Sequence, residues 1–317
     1  MVKPLQTALI HLRSLGLVVP WLTWLLAADI LLSLLLPFKP LFPDTVYNLS
    51  SHIASSVWRW IQNIFEVRNG AVITMSGDAL PAGESAIVVA NHVGWSDFYM
   101  IQALAKRAGM LGRCRWFAKI QLRMVPFLGW GLWAMGFPLV SRNWVKDKTE
   151  LERVFKGITE RRWPTWLISF SEATRFTPEK YVESQRWCDA QGRPQPQHLL
   201  YPRTKGFVTT VQHLRAAPHV KAVYDLAIAY QHGTAFQSAP TMWETLSVPR
   251  LSPGQERKKK GKASETGYRF HVHARRFPVE ELPNDDEGLA KWLEDRWVEK
   301  GEYLEELRVK WAKEASG

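Results

Sequence analysis

Between Ala71 and Tyr230, short apolar runs alternate with helical stretches. AVITM (71–75), AIVVA (86–90), GFPLV (136–140), TWLISF (165–170) and AVYDLAIAY (222–230) read as strands. DFYMIQALAKRA (97–108), KDKTELERVFKGITERR (146–162) and FVTTVQHLRAA (207–217) read as helices, and the residues after Phe170 read as a polar loop. Strands that are apolar throughout, rather than at every second residue, are buried on both faces. The expected fold is therefore α/β, a largely parallel central sheet flanked by helices. It spans residues 68–284, including a basic loop at 249–262 that holds RKKKGK. A further run, YRFHVHAR (268–275), alternates as a half-buried strand should. Residues 285–317 read as a charged helical tail, broken near Gly301.

Residues 1–67 are of another kind. Leu15 to Phe38 is apolar apart from Asp29, long enough to cross a hydrocarbon core of about 30 Å and too long for a signal-peptide core. Pro20 and Asp29 weigh against a simple crossing, which leaves two helices lying in the membrane plane as the alternative. Tyr47 to Val67 reads as an amphipathic helix with Ile53, Val57, Ile61, Ile64 and Phe65 on one stripe. Net charge of +11 and sixteen tryptophans suit an interface bearing anions. A mean hydropathy of −0.20 excludes a polytopic transporter. Two cysteines, Cys114 and Cys188, cannot make a disulfide framework, and no Cys/His cluster has zinc spacing. Basic residues spread over several motifs, with no RNA-binding motif, argue against nucleic acid as a partner.

Chemistry concentrates at AIVVANHVGWSDFYM. The strand ends at Ala90, so Asn91 and His92 emerge at the carboxyl edge where open α/β sheets place ligands. Ser96 is a good N-cap for a helix opening with Asp97. On a continuous helix His92 and Asp97 would diverge by about 140°. They meet only if the chain turns between them, and Gly94 is expected to supply that freedom. Asp97 would then fix one imidazole nitrogen and leave the other basic, as activation of a hydroxyl requires. Downstream, Arg142, Arg175 and Lys205 each follow a strand or open a helix, and together they would form a cationic rim. Glu172 reads as either an ion-pair partner of Arg175 or an orienting group. The stretch 124–137 (MVPFLGWGLWAMGF) reads as core or as an apolar surface for lipid.

NHVGWSD (91–97), FPLVSRNW (137–144), FSEATR (170–175) and YPRTKGF (201–207) stand in the order of four blocks of the acyl-CoA-dependent glycerophospholipid acyltransferases. The chain resembles that family over roughly residues 58–312, and most of all its lysophosphatidic acid acyltransferases and the branch with lysocardiolipin and lysophosphatidylinositol enzymes. The resemblance implies His92 as general base and Asp97 as its partner. It implies Arg142, Glu172 and Arg175 as ligands of a glycerol-phosphate head, Lys119 and Lys205 as further phosphate ligands, and Asn91, Thr174, Pro202 and Arg203 as supporting residues. No metal-ligand spacing appears, so activity is expected without divalent ions, and no cofactor is expected. The resemblance implies acyl-CoA as co-substrate, a lysophospholipid as acceptor and membrane lipids as partners. A location at the endoplasmic reticulum, or else at mitochondria, also comes from the resemblance. Ala173 stands where the family carries glycine, a replacement expected to be tolerated only if that residue does not need positive φ. Gly94 stands where many members carry serine.

Overall fold

The computed structural model describes residues 2–141, 144–252 and 267–316. In chain order these form α1 (Val2–Leu35), α2 (Pro43–Asn63), β1 (Ile73–Gly77), β2 (Ser85–Ala90), α3 (Asp97–Arg107), β3 (Cys114–Trp116), β4 (Ala118–Lys119), α4 (Leu128–Ala134), β5 (Leu139–Val140), α5 (Trp144–Arg161), β6 (Trp166–Phe170), α6 (Pro178–Gln191), α7 (Thr204–Leu214), β7 (Val220–His232), β8 (Ala235–Phe236), α8 (Met242–Ser247), β9 (Tyr268–Pro278) and α9 (Asp286–Ser316).

The main sheet has the order β1-β9-β7-β2-β6-β3, with β8 pairing β7. Strands β7, β2, β6 and β3 are mutually parallel; β9 runs antiparallel to β7, and β1 is parallel to β9. β2 is the centre of the parallel part and is buried along its whole length. Its alternate side chains feed two cores, as a period of two dictates. Ala86, Val88 and Ala90 join a layer with residues of α1 to α4. Ile87 and Val89 join the opposite layer, made by α5, α7 and α9. The result is three layers with β2 in the middle, which places the residues after Ala90 at the carboxyl edge between β6 and β7.

α1 is one continuous helix with Pro20 inside it, not two in-plane helices. Its contacts explain how: Arg13 reaches the Asn69 side chain (2.9 Å), Trp21 the Val57 carbonyl (3.3 Å) and Trp24 the Ser56 hydroxyl (2.9 Å). One stripe (Val18, Trp21, Ala28, Leu32) is buried on the domain, while Leu15, Val19, Leu22, Leu26, Ile30 and Leu34 lie bare. Asp29 is turned inward against α4, where Gly131 leaves room for it. The stretch 124–137 is divided in the same way: Leu132, Met135 and Phe137 are core, and Met124 and Trp130 are exposed.

The C-terminal tail is unbroken, contrary to the expectation for Gly301. That glycine serves a close approach instead: a Cβ there would lie 2.6 Å from the Gln197 amide nitrogen. α6 occupies what the sequence suggested was loop. The basic run 257–262 lies outside the described residues.

Candidate active site

Asn91 anchors the exit from β2. Its side-chain amide donates to the Ile228 carbonyl (2.9 Å) and its Oδ1 accepts the Ile228 N–H (2.7 Å), a two-way clamp on β7. The chain then turns within residues 92–96 and enters α3. The Asp97 side chain is fully buried, and its Oδ2 accepts from His92 Nδ1 (2.7 Å), Val93 N–H (2.7 Å) and Gly94 N–H (3.0 Å). Its Oδ1 accepts from the Tyr230 hydroxyl at 2.7 Å. A carboxylate can only accept here, so Nδ1 carries the imidazole proton and Nε2 is the basic nitrogen. Among the described residues Nε2 has no hydrogen-bond partner, and the side chain is 15% exposed. Phe170 stacks on the ring (centroids 4.0 Å apart, planes at 12°) and fixes its tilt. The imidazole is held on one nitrogen and one face, with the other nitrogen open.

Two details differ from the sequence expectation. The Ser96 hydroxyl makes no capping bond, because its backbone is already helical (φ −65°, ψ −13°) rather than extended; Asp97 closes the turn instead. Gly94 does not adopt positive φ. Its need is space, since a Cβ would lie 3.1 Å from Ala239 Cβ, and its N–H serves Asp97.

The second loop comes from the end of β6. The Phe176 N–H donates to the His92 carbonyl (2.7 Å), which ties this loop to the first, and the Arg203 N–H donates to the Ser171 carbonyl (2.7 Å), which brings in the start of α7. Ala173 has φ +57°, so the condition for replacing glycine is not met. The residue bears left-handed strain of about 1–2 kcal/mol. Glu172 and Arg175 do not pair. Glu172 is 3% exposed, and neither of its oxygens has a hydrogen-bond partner among the described residues. Burial pushes its carboxyl well above the usual range, opposed by the Lys300 ammonium. Lys300 is itself buried, 2.6 Å from Asp225 Oδ1 and 3.6 Å above the Trp297 ring. Glu172 thus belongs to the interior beneath the loop, with almost no surface to offer a ligand. Arg175 is exposed and, with Val93, Gly94, Trp95, Phe176 and residues 237–242, lines an open cavity of about 540 Å³; His92 is not itself a lining residue but directly precedes Val93.

Of the remaining predicted residues, Thr174 is half-buried and bonded to Lys180 (2.6 Å), Pro202 is buried, and Arg203 and Lys205 are exposed at the start of α7. Lys119 is exposed on the small β4–β5 ladder, beyond the carboxyl end of β3. Arg142 lies outside the described residues. Both cysteines are buried, and burial pushes the Cys114 thiol up to about 12, so it is a poor nucleophile. Tyr230, Phe170 and Lys180 were not singled out from sequence. Tyr230 ends a recognisable strand, but only the pairing of β7 beside β2 brings it to Asp97.

An α/β sheet presenting a carboxylate-held imidazole next to a guanidinium-lined cavity defines an enzyme of the transferase or hydrolase type. Comparison with known proteins narrows this. A family model described as Acyltransferase matches residues 72–231, and one described as Acyltransferase C-terminus matches 264–309. The chain belongs to the glycerophospholipid acyltransferase family. It is 29% identical over 276 residues to 1-acyl-sn-glycerol-3-phosphate acyltransferase 3 of Arabidopsis thaliana, covering 86% of this chain and 68% of that one. To 1-acyl-sn-glycerol-3-phosphate acyltransferase delta of Homo sapiens it is 32% identical over 223 residues, covering 70% of this chain and 53% of that one. The chain thus spans between about half and two thirds of these relatives' lengths. A solved structure, the 1-acyl-sn-glycerophosphate acyltransferase PlsC of Thermotoga maritima, aligns with TM-score 0.47 and 17% identity, covering 87% of this chain and 96% of that one.

Proposed function

We propose that this protein transfers an acyl group from acyl-CoA to the sn-2 hydroxyl of a lysophospholipid, with 1-acylglycerol-3-phosphate as the favoured acceptor and phosphatidic acid as product. The observation that carries this reading is the His92 imidazole, fixed through Nδ1 by Asp97 and open at Nε2, beside a cavity that Arg175 lines.

In this mechanism Nε2 takes the proton of the acceptor hydroxyl as its oxygen attacks the thioester carbonyl. The C–S bond then breaks, and the imidazolium returns the proton to the departing thiolate. Asp97 stabilises the transient imidazolium and keeps the ring in register. Help of this kind is worth about 10²–10⁴-fold. Direct attack by the hydroxyl needs no acyl-enzyme, in keeping with the burial of both cysteines. The Arg175 guanidinium would grip the acceptor phosphate through two parallel hydrogen bonds, a geometry that lysine does not offer. Arg142, Lys119 and Lys205 remain further candidates for that anion; the burial of Glu172 suits an orienting role better than direct contact.

The same reading places the domain on a membrane. The bare stripe of α1, from Leu15 to Leu34, together with Phe38, Leu41 and Phe42, is apolar surface with no cover among the described residues. Because the opposite stripe is fastened to α2 and α4, a helix lying along the bilayer surface fits better than one crossing it alone.

The relatives named for 1-acylglycerol-3-phosphate favour that acceptor over lysophosphatidylinositol or lysocardiolipin. Purified protein given one acyl-CoA and a panel of lysophospholipids tests the reading. Lysophosphatidic acid should turn over fastest, and no transfer to any acceptor would remove the proposal. R175K should raise the acceptor KM by roughly tenfold or more; an unchanged KM would remove Arg175 from the head-group site.

A further inference from the structure

The turn bearing Thr174 and Arg175 is held from outside by the helix that follows it. Lys180, in the first turn of α6, donates from Nζ to Thr174 Oγ1 at 2.6 Å and to the Arg175 carbonyl at 3.3 Å. The start of α6 is itself fixed: Pro178 opens the helix, and the Thr177 hydroxyl caps it by accepting the Lys180 N–H at 3.3 Å. The ammonium is therefore carried on a rigid support.

The turn requires such a hold. Ala173 sits at φ +57°, a conformation an alanine leaves readily unless its surroundings over-determine it. Two backbone bonds secure the ends, Ala173 N–H to the Phe170 carbonyl (2.9 Å) and Phe176 N–H to the His92 carbonyl (2.7 Å). Between those points, Lys180 is the side chain that grips Thr174 and the Arg175 carbonyl.

We propose that Lys180 is a positioning residue that clamps the strained Ala173 turn and so keeps the Arg175 guanidinium aimed at the cavity beside His92. The proposal rests on the reading of Arg175 as the acceptor's phosphate ligand. Two N–H bonds of the ammonium already go to protein oxygens, so its part is to shape the turn rather than to hold phosphate itself.

The test is steady-state acylation of lysophosphatidic acid by the full chain, with acyl-CoA saturating and a thermal melt recorded for each variant. K180M should raise the acceptor KM roughly tenfold, the value of a charge-assisted hydrogen bond, with kcat changed much less. A173G added to K180M should restore most of that KM, because glycine holds positive φ without steric cost. A K180M enzyme with wild-type KM overturns the clamp. So does a double variant no better than K180M, which is what direct phosphate contact by Lys180 would give. Should K180M fail to fold, A173G/K180M alone decides: a near-wild-type KM supports the clamp, and a tenfold rise overturns it. R175K separates the two readings. An unchanged KM there removes the head-group site itself, whereas a raised KM with K180M silent removes only the clamp.

Discussion

Two histidines, His92 and His271, sit in polar networks at opposite ends of the sheet's chemistry. His92 gives Nδ1 to the Asp97 carboxylate and keeps Nε2 open. At the outer strands, His271 meets hydroxyls on both nitrogens. The Thr74 hydroxyl spends its proton on the Phe270 carbonyl (2.9 Å), so its oxygen must accept from His271 Nδ1 (2.7 Å). That leaves His271 Nε2 to accept from Tyr303 (2.8 Å), with Ser76 at 3.0 Å. One ring has a carboxylate to stabilise its cation and a free lone pair; the other has neither. Position in the fold sets this difference, because the first ring stands at a strand's carboxyl end and the second is sandwiched between β1 and α9. A histidine among polar neighbours is therefore a base only where one nitrogen is left unspent and the charged form is provided for.

The largest expected effect follows directly. H92A should lower kcat by about 10²–10⁴-fold with only a modest fall in melting temperature, because the stacking on Phe170 and one bond to Asp97 Oδ2 are lost while Val93, Gly94 and Tyr230 still hold the carboxylate. H271Q should leave kcat near wild type in the folded protein. If H271Q silences turnover as H92A does, or if H92A retains most activity, the contrast between the rings collapses.

The next effect concerns stability and acid. Burial, with His273 and Lys310 nearby, pulls His271 down to about 4 from 6.5. The folded protein thus resists protonation that the unfolded chain accepts. Stability is fully present above pH 6.5 and falls as pH drops towards 4, by about 3 kcal/mol from this group. Urea unfolding of wild type and H271Q at pH 7 and pH 4.5 checks it: H271Q should be the less stable at neutral pH and lose less on acidification. Equal losses in the two proteins would mean that the ring is not held neutral by its burial.

The sequence made parts of this legible because their signals are local. His92 and Asp97 lie five residues apart, so strand, turn and helix could be read together with the pair they create. AIVVA announced a central strand, since all five residues are apolar. Other parts depend on distant neighbours. Tyr230 is 133 residues from Asp97, and only the strand order β7-β2 makes them meet. Gly301 read as a helix break because its packing against Gln197 is invisible along the chain. α6 was missed because its apolar stripe is weak, although Pro178 at its start and Gly192 past its end, at φ +62°, are ordinary helix signals. At Ala173 the family's glycine warned of positive φ, and the backbone keeps that conformation even with alanine in place.

The smallest effect probes what the open ring owes to its support. Tyr230 is wholly buried, and burial beside Asp97 raises its hydroxyl well above the usual range, so it remains a donor at any working pH. Y230F removes one bond to Asp97 Oδ1 and leaves that oxygen buried and bare, while the three bonds to Oδ2 persist. A hydrogen bond to a charged group is worth about 1.5–3 kcal/mol. If Tyr230 serves only the fold, the loss should appear in the melting temperature with kcat unchanged. If it also holds Asp97 in line with the imidazole, kcat should fall by roughly tenfold with acceptor KM unaffected, and that is the outcome expected here. The Oδ2 bonds fix where the carboxylate sits, but a second anchor on Oδ1 is needed to stop it rotating as positive charge develops on His92. A drop in melting temperature alone would show that the turn at Val93 and Gly94 suffices to orient the pair.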